Sequence, residues 1–136
     1  MKINVATALN EGYTRYTYVM LYSLFKNNGD ESITVYLLTD GLSEKSKRDF
    51  GALCARYHAR LIYLTVDPRV FGEKLLGSGE WSKEACFRLA LLDLLPDDMD
   101  RLIYLDGDII VNKSIRPLYL KDFKEKHLIV CHDMTL

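Results

Sequence analysis

The sequence predicts an α/β fold in which a largely parallel sheet is flanked by helices. Three observations carry that expectation. Apolar runs of strand length alternate along the chain with stretches of helical periodicity. The runs are nearly continuous, as strands covered on both faces require. Gly, Pro, Asn and Asp clusters separate them. At 136 residues the chain is one domain's worth and long enough for a real core, so residues 1–136 read as a single α/β domain.

The elements follow in order. INVATA, residues 3–8, is the first strand, and LNEGY is a polar break after it. A helix is expected over 14–27, with Tyr16, Met20 and Leu24 recurring at helical spacing. NNGDES is a turn, and ITVYLLTD, 33–40, is a second strand rich in β-formers. Ser43 has the chemistry of an N-cap, with Glu44 in the first turn, and opens a helix to Tyr57. RLIYLTV, 60–66, is a third strand. Past Asp67-Pro68 comes a short irregular helix, then GSGEW, read as flexible. Ser82 caps a helix over 83–95 that Pro96 ends. The turn PDDMD feeds a buried strand, RLIYLD, at 101–106. RPLYLKDF is a helical turn, and HLIVCHD, 127–133, is a final strand. The stop at HDMTL, just after a strand with no closing helix, reads as the first half of something longer.

Composition narrows the function classes. A formal net charge of −1, from 18 basic and 19 acidic side chains, gives no drive toward nucleic acid or an anionic membrane. Cys54, Cys86 and Cys131 are far apart and never in a CxxC spacing, which argues against a disulfide framework or a zinc site. They are expected to be buried free thiols. The first apolar run breaks at Asn4, unlike a secretion signal, and no window approaches the ~18 continuous apolar residues of a membrane helix. The expected location is cytoplasmic, with no transmembrane segment.

Ligands of open α/β sheets bind beyond the carboxyl ends of the strands. Three polar clusters fall at such ends: LNEGY, Asp106-Gly107-Asp108 and His132-Asp133. Two aspartates at i and i+2 directly after an apolar strand suit a hard cation such as Mg²⁺ or Mn²⁺, which takes one or two carboxylates plus phosphate oxygens. Gly107 between them permits an unusual backbone and removes a side chain that would obstruct a ligand. The bland alternative is a turn with solvated aspartates. Arg88 has two readings that spacing does not separate. One is a helix-surface pair with Glu84, worth ~0.3 kcal/mol; the other is a guanidinium that binds phosphate. Trp81 reads as a core anchor, GSG lacks the lysine of a P-loop, and His58 and His127 read as structural or exposed.

The combination INVATALNEGYTRYTYVMLYSL, VYLLTDGLSE, WSKEACFRLALLDLLP, DRLIYLDGDIIV and SIRPLY, in that order, resembles the family-8 glycosyltransferases. These include bacterial lipopolysaccharide galactosyl- and glucosyltransferases and, more distantly, glycogenins. The resemblance implies a GT-A nucleotide-diphospho-sugar transferase fold, truncated here before its C-terminal half. It implies retaining transfer of a hexose from a UDP-hexose donor to a saccharide or lipopolysaccharide acceptor, with Mn²⁺ (or Mg²⁺) at the diphosphate. Asp106 and Asp108 match the metal-binding DxD pair, with Gly107 between them at the donor. Ala8 and Asn10 match the loop that meets the uracil, although aspartate is common at the Asn10 position. Tyr13 matches the aromatic against the base. Arg88 matches the arginine near diphosphate and donor sugar, with Ser82 and Lys83 on the same approach. Asp133 matches an aspartate that contacts donor-sugar hydroxyls. Complete members take a third metal ligand, a histidine, from a C-terminal half not represented in these residues. Self-association through surface left uncovered is a further expectation. Two rivals stand beside this reading. One is a non-catalytic UDP- and metal-binding fragment. The other is a phosphatase of the haloacid dehalogenase type, whose DxD usually lies near the chain start and precedes Thr or Val, where Ile109 follows here.

Overall fold

The computed structural model describes residues 1–71 and 86–131, without the side chains of Val70 and Leu92. Strands β1 (Lys2–Ala8), β2 (Ser32–Thr39), β3 (Arg60–Thr65) and β4 (Ile103–Tyr104) form one sheet in the order β3-β2-β1-β4. Every pairing is parallel, with Val5 opposite Val35 and Ile103, and Val35 opposite Leu61. The two central strands are the continuous apolar ones: Ile3 to Thr7 and Ile33 to Thr39 are all buried. That is the pattern of strands covered on both faces.

Helix α1 (Thr14–Lys26) follows a 3-10 turn at Glu11–Tyr13, and α2 is Glu44–Arg56. The cap expected at Ser43 is present, and Asn10, not singled out as a cap from sequence, caps the 3-10 turn. The Asn10 side chain accepts the Tyr13 N–H, and Ser43 Oγ accepts the Ser46 N–H at 3.1 Å. The two helices bury Met20, Leu21, Leu24, Phe25, Phe50 and Leu53 against Ile3, Val5, Val35 and Leu37. At ~1.5–3 kcal/mol for each large apolar side chain, this layer dominates the fold's stability. The face of α1 is rotated from the expected one. Tyr16 is 58% exposed, and Thr17 is in its place in the core. A stripe that begins at Thr17 continues through Met20, Leu21 and Leu24, so the i, i+3, i+4 spacing holds one residue later.

The opposite sheet face carries Ala6, Tyr36 and Leu38 against Phe87, Ala90 and Leu91. The helical stretch there is a 3-10 turn at Arg88–Ala90 followed by α3 (Leu91–Leu94). Leu95, before Pro96, turns extended at φ −85° and ψ 153°, as a residue preceding proline should. The proposed cap at Ser82 lies outside the described residues, as do GSGEW and Trp81.

Three expectations need correction. RLIYLD was expected to be a buried strand of six residues; only Ile103 and Tyr104 pair, and 101–105 are half-buried. β4 is at the sheet edge among the described residues, with β1 its one neighbour. HLIVC is not a strand over 127–131: Leu128 and Val130 are each 73% exposed. Its β-propensity finds no partner strand among the described residues, and propensity without pairing does not make a strand. Cys54 and Cys86 are buried free thiols as expected, but Cys131 is exposed. Burial pushes the Cys54 thiol up to about 11, which keeps it protonated and inert. Past β4, α4 (Arg116–Tyr119) supplies the helical turn expected from RPLYLKDF, with Pro117 in its first turn.

Candidate functional site

The winding of the sheet fixes where a site belongs. From β1 the chain moves outward through β2 to β3, then returns to lay β4 on the other side of β1. Between β1 and β4 the strand order reverses, and the crevice at the carboxyl ends of such a pair is where open α/β sheets bind ligands. Two of the three clusters meet there, the loop after Ala8 and the turn after Tyr104.

Asp106, Gly107 and Asp108 form that turn. Both aspartates are exposed, whereas the glycine between them is buried. The reason differs from the one expected. Among the described glycines only Gly41 has a positive φ, so Gly107 is not needed for an unusual backbone. It is needed for proximity: a Cβ at Gly107 would stand 2.5 Å from Thr17 Oγ1 of α1. The turn therefore presses its middle residue onto α1 and holds both carboxylates outward.

The chain after the turn is fastened to the same helix. Val111 N–H donates to Ser23 Oγ at 2.9 Å, and Asn27 Nδ2 donates to the Val111 carbonyl at 2.9 Å. Ile115 N–H donates to Asn28 Oδ1 at 2.8 Å. These bonds anchor the segment that follows the aspartates to the C-terminal part of α1 and the residues just after it.

Arg88 comes from the opposite sheet face and lies over the Tyr104 ring, 5.0 Å from its centroid. One guanidinium nitrogen is 3.5 Å from Asp106 Oδ1, with both side chains about half exposed. Glu84, the helix-surface partner considered for Arg88, lies outside the described residues. Tyr104 is the platform under this pair, and burial raises its hydroxyl above the ordinary tyrosine value.

On the β1 side, Ala8 ends the strand and Asn10 caps the following turn. Asn10 Oδ1 is engaged by the Tyr13 N–H at 3.2 Å. Tyr13 is 47% exposed and tilts against Tyr16 with ring centroids 5.5 Å apart. Glu11 was not singled out from sequence, yet it braces this loop. Its carboxylate accepts from the Ser43 N–H at 2.9 Å, Ser43 Oγ at 2.8 Å and Ser46 Oγ at 2.6 Å. Those hydrogen bonds, Ser46 first, hold its carboxyl below the usual range, and they join the loop to the N-terminus of α2.

The structure thus brings Ala8, Asn10, Tyr13, Arg88, Asp106, Gly107 and Asp108 to one edge. Ser82, Lys83, His132 and Asp133 lie outside the described residues. His58, two residues past the end of α2, has a left-handed φ of 55°, and His127 is exposed and outside any strand.

The donor chemistry suits a hard divalent cation. Asp106 and Asp108 offer hard carboxylate oxygens at an open edge, where phosphate and water could complete the coordination. Among the described residues no group of three or more His, Cys, Asp or Glu side chains is gathered as a full cage. Two carboxylates with the remainder supplied by substrate is the Mg²⁺- or Mn²⁺-like arrangement rather than a structural site.

Comparison with known proteins identifies the family. The profile of glycosyl transferase family 8 matches residues 4–135. The chain belongs to glycosyl transferase family 8. It is similar to the lipopolysaccharide 1,3-galactosyltransferase of Salmonella typhimurium, 24% identical over 127 residues that cover 93% of this chain and 37% of the relative. It is also similar to the lipopolysaccharide glucosyltransferase WaaO of Escherichia coli, 28% identical over 101 residues, 74% of this chain and 29% of that protein. Among solved structures it resembles galactosyltransferase LgtC in complex with donor and acceptor sugar analogs. The TM-score is 0.73 at 25% identity, over 89% of this chain and 43% of that one. The family-8 chain thus spans less than half the length of these relatives, and its parallel sheet with flanking helices is their fold. Among the described residues no helix is long and apolar enough to cross a membrane.

Proposed function

We infer that residues 1–136 are the nucleotide-sugar-binding part of a longer, cytoplasmic, retaining hexosyltransferase. Its donor is a UDP-hexose with Mn²⁺ or Mg²⁺, and its acceptor is a saccharide or lipopolysaccharide. The observation that carries the reading is the meeting of Arg88 with Asp106 at the β1–β4 crevice, beside the Asn10–Tyr13 loop. Family membership, relatives named as lipopolysaccharide glycosyltransferases, and a structural neighbour that holds donor and acceptor analogs all support it. They give no support to the phosphatase alternative.

Each residue has a task that follows from its chemistry. Departure of UDP builds negative charge on the diphosphate, and catalysis needs positive charge fixed where that charge develops. Arg88, stacked on Tyr104, supplies a guanidinium held at the crevice. Asp106 and Asp108 would hold the divalent cation, which supplies Lewis-acid stabilisation of the leaving diphosphate. Tyr13 offers an exposed ring for the uracil to lie against, and the Asn10 amide and Ala8 backbone border the same face. Ser82, Lys83 and Asp133 extend the site toward the sugar on the strength of the resemblance.

Calorimetric titration of the chain with UDP tests this, in Mn²⁺ and then in EDTA. The reading expects tighter binding in Mn²⁺, because the cation offsets carboxylate–phosphate repulsion. Equal or tighter binding in EDTA would overturn it. A second outcome separates an enzyme from a binding module: if the complete protein binds UDP with Mn²⁺ yet transfers no hexose, the non-catalytic alternative stands.

A further inference from the structure

Thr17 is a fully buried residue of α1 whose hydroxyl has no hydrogen-bond partner among the described residues. An unpaired hydroxyl in a dry core costs ~1–3 kcal/mol, and valine would fill the same space without that cost. The position is not an ordinary core site. Thr17 Oγ1 is the atom nearest to where a Cβ on Gly107 would stand, so it lies directly beneath the turn that carries Asp106 and Asp108. The glycine above is buried while both neighbouring carboxylates are exposed. A threonine in a helix divides between two χ1 rotamers, and in the one adopted here Oγ1 faces the Gly107 turn.

We propose that Thr17 is a positioning residue for the Asp106–Gly107–Asp108 turn. Its side chain sets the height at which Gly107 rests, and its hydroxyl bonds the turn's backbone when cation and diphosphate draw the two carboxylates in. This rests on the reading of Asp106 and Asp108 as donor-site carboxylates. The orphan hydroxyl then has a function: the backbone of the turn is the partner it takes when the donor binds. Binding therefore gains a hydrogen bond that folding lacks. Thr17 touches neither donor nor cation and acts through the turn.

The test is UDP titration in Mn²⁺ with melting curves for the full chain and its Thr17→Val and Thr17→Ser variants, with Asp106→Asn/Asp108→Asn as control. Thr17→Val should weaken Mn²⁺-dependent UDP binding about tenfold, by the loss of roughly one buried hydrogen bond. Its melting temperature without ligand should hold or rise. Thr17→Ser should stay within about twofold of the parent in affinity, since the hydroxyl is kept. Separately, Gly107→Ala should lose the Mn²⁺-dependent binding, and adding Thr17→Ala to it should restore part of that loss by removing the colliding oxygen. Thr17→Val with parental affinity would overturn the proposal while leaving the donor site intact. So would a clear drop in its unliganded melting temperature, which would mean that the hydroxyl is satisfied in the empty fold. If the double asparagine control keeps its Mn²⁺ dependence, the donor-site reading itself fails, and the proposal with it.

Discussion

Removing the Arg88 side chain should separate stability from binding. Its contacts to Asp106 and Tyr104 are modest. An ion pair at 3.5 Å between half-exposed groups contributes at most ~1 kcal/mol after screening. A guanidinium 5.0 Å from a ring centroid at a partly exposed site adds ~0.5–1 kcal/mol. Loss of these two contacts in Arg88→Ala should cost about 2 kcal/mol of folding stability, a fall of several degrees in melting temperature for a domain of this size. Binding should suffer more. A charge-assisted contact to diphosphate is worth ~1.5–3 kcal/mol, so UDP affinity in Mn²⁺ should drop about 10- to 100-fold. Arg88→Lys should recover only part, because a lysine carries the charge without the planar fork or the stack on Tyr104. Calorimetry and thermal melts on the three proteins read both quantities. If Arg88→Ala binds UDP like the parent, the arginine is not a donor-site group. If it loses far more than ~2 kcal/mol of stability, it is structural instead.

Three further outcomes follow from the geometry. Asp106→Asn/Asp108→Asn should remove the metal-dependent part of UDP binding while the unliganded melting temperature holds or rises; a large fall would make the pair structural. Ser43→Ala removes the cap of α2 and should cost ~1 kcal/mol, read by urea denaturation; no change would mean that Glu11 caps the helix without it. Glu11→Gln should lower stability at neutral pH. The folded-state carboxyl is held below its ordinary value of 4.5, so its contribution is complete above that value and is lost as pH falls through the lower folded value. The gap between parent and variant should therefore close in acid; a gap that widens there would contradict the bonds to Ser43 and Ser46.

Which of these features could be read from the sequence follows physical lines. Nearly continuous apolar runs marked β1 and β2 because both strands are buried along almost their whole length, and β3, only half-buried, was marked by its β-forming composition. Ser43 was legible as a cap because capping is local chemistry within three residues. β4 and HLIVC were misjudged for one reason. Both have strand composition, but a strand's length is set by its neighbours in space, and β4 finds only two residues of β1 to pair with. The DxD pair and Arg88 were visible as residue types; spacing did not bring them together, since they arrive from opposite faces of the sheet, and only the family resemblance implied their meeting. The role of Gly107 was half legible: its importance showed, but the cause depends on Thr17, 90 residues earlier. Glu11 escaped because its partners, Ser43 and Ser46, are brought near by the parallel pairing of β1 and β2.

The most direct measurement is an NMR titration of the labelled chain with Mn²⁺ and then UDP. Paramagnetic broadening should strike the amides of Asp106, Gly107 and Asp108 first and strongest. Added UDP should then shift Ala8 through Tyr13 across the crevice. Broadening centred instead on another acidic cluster, such as Asp97, Asp98 and Asp100, with the Asp106–Asp108 signals intact, would contradict a donor site at the junction of β1 and β4.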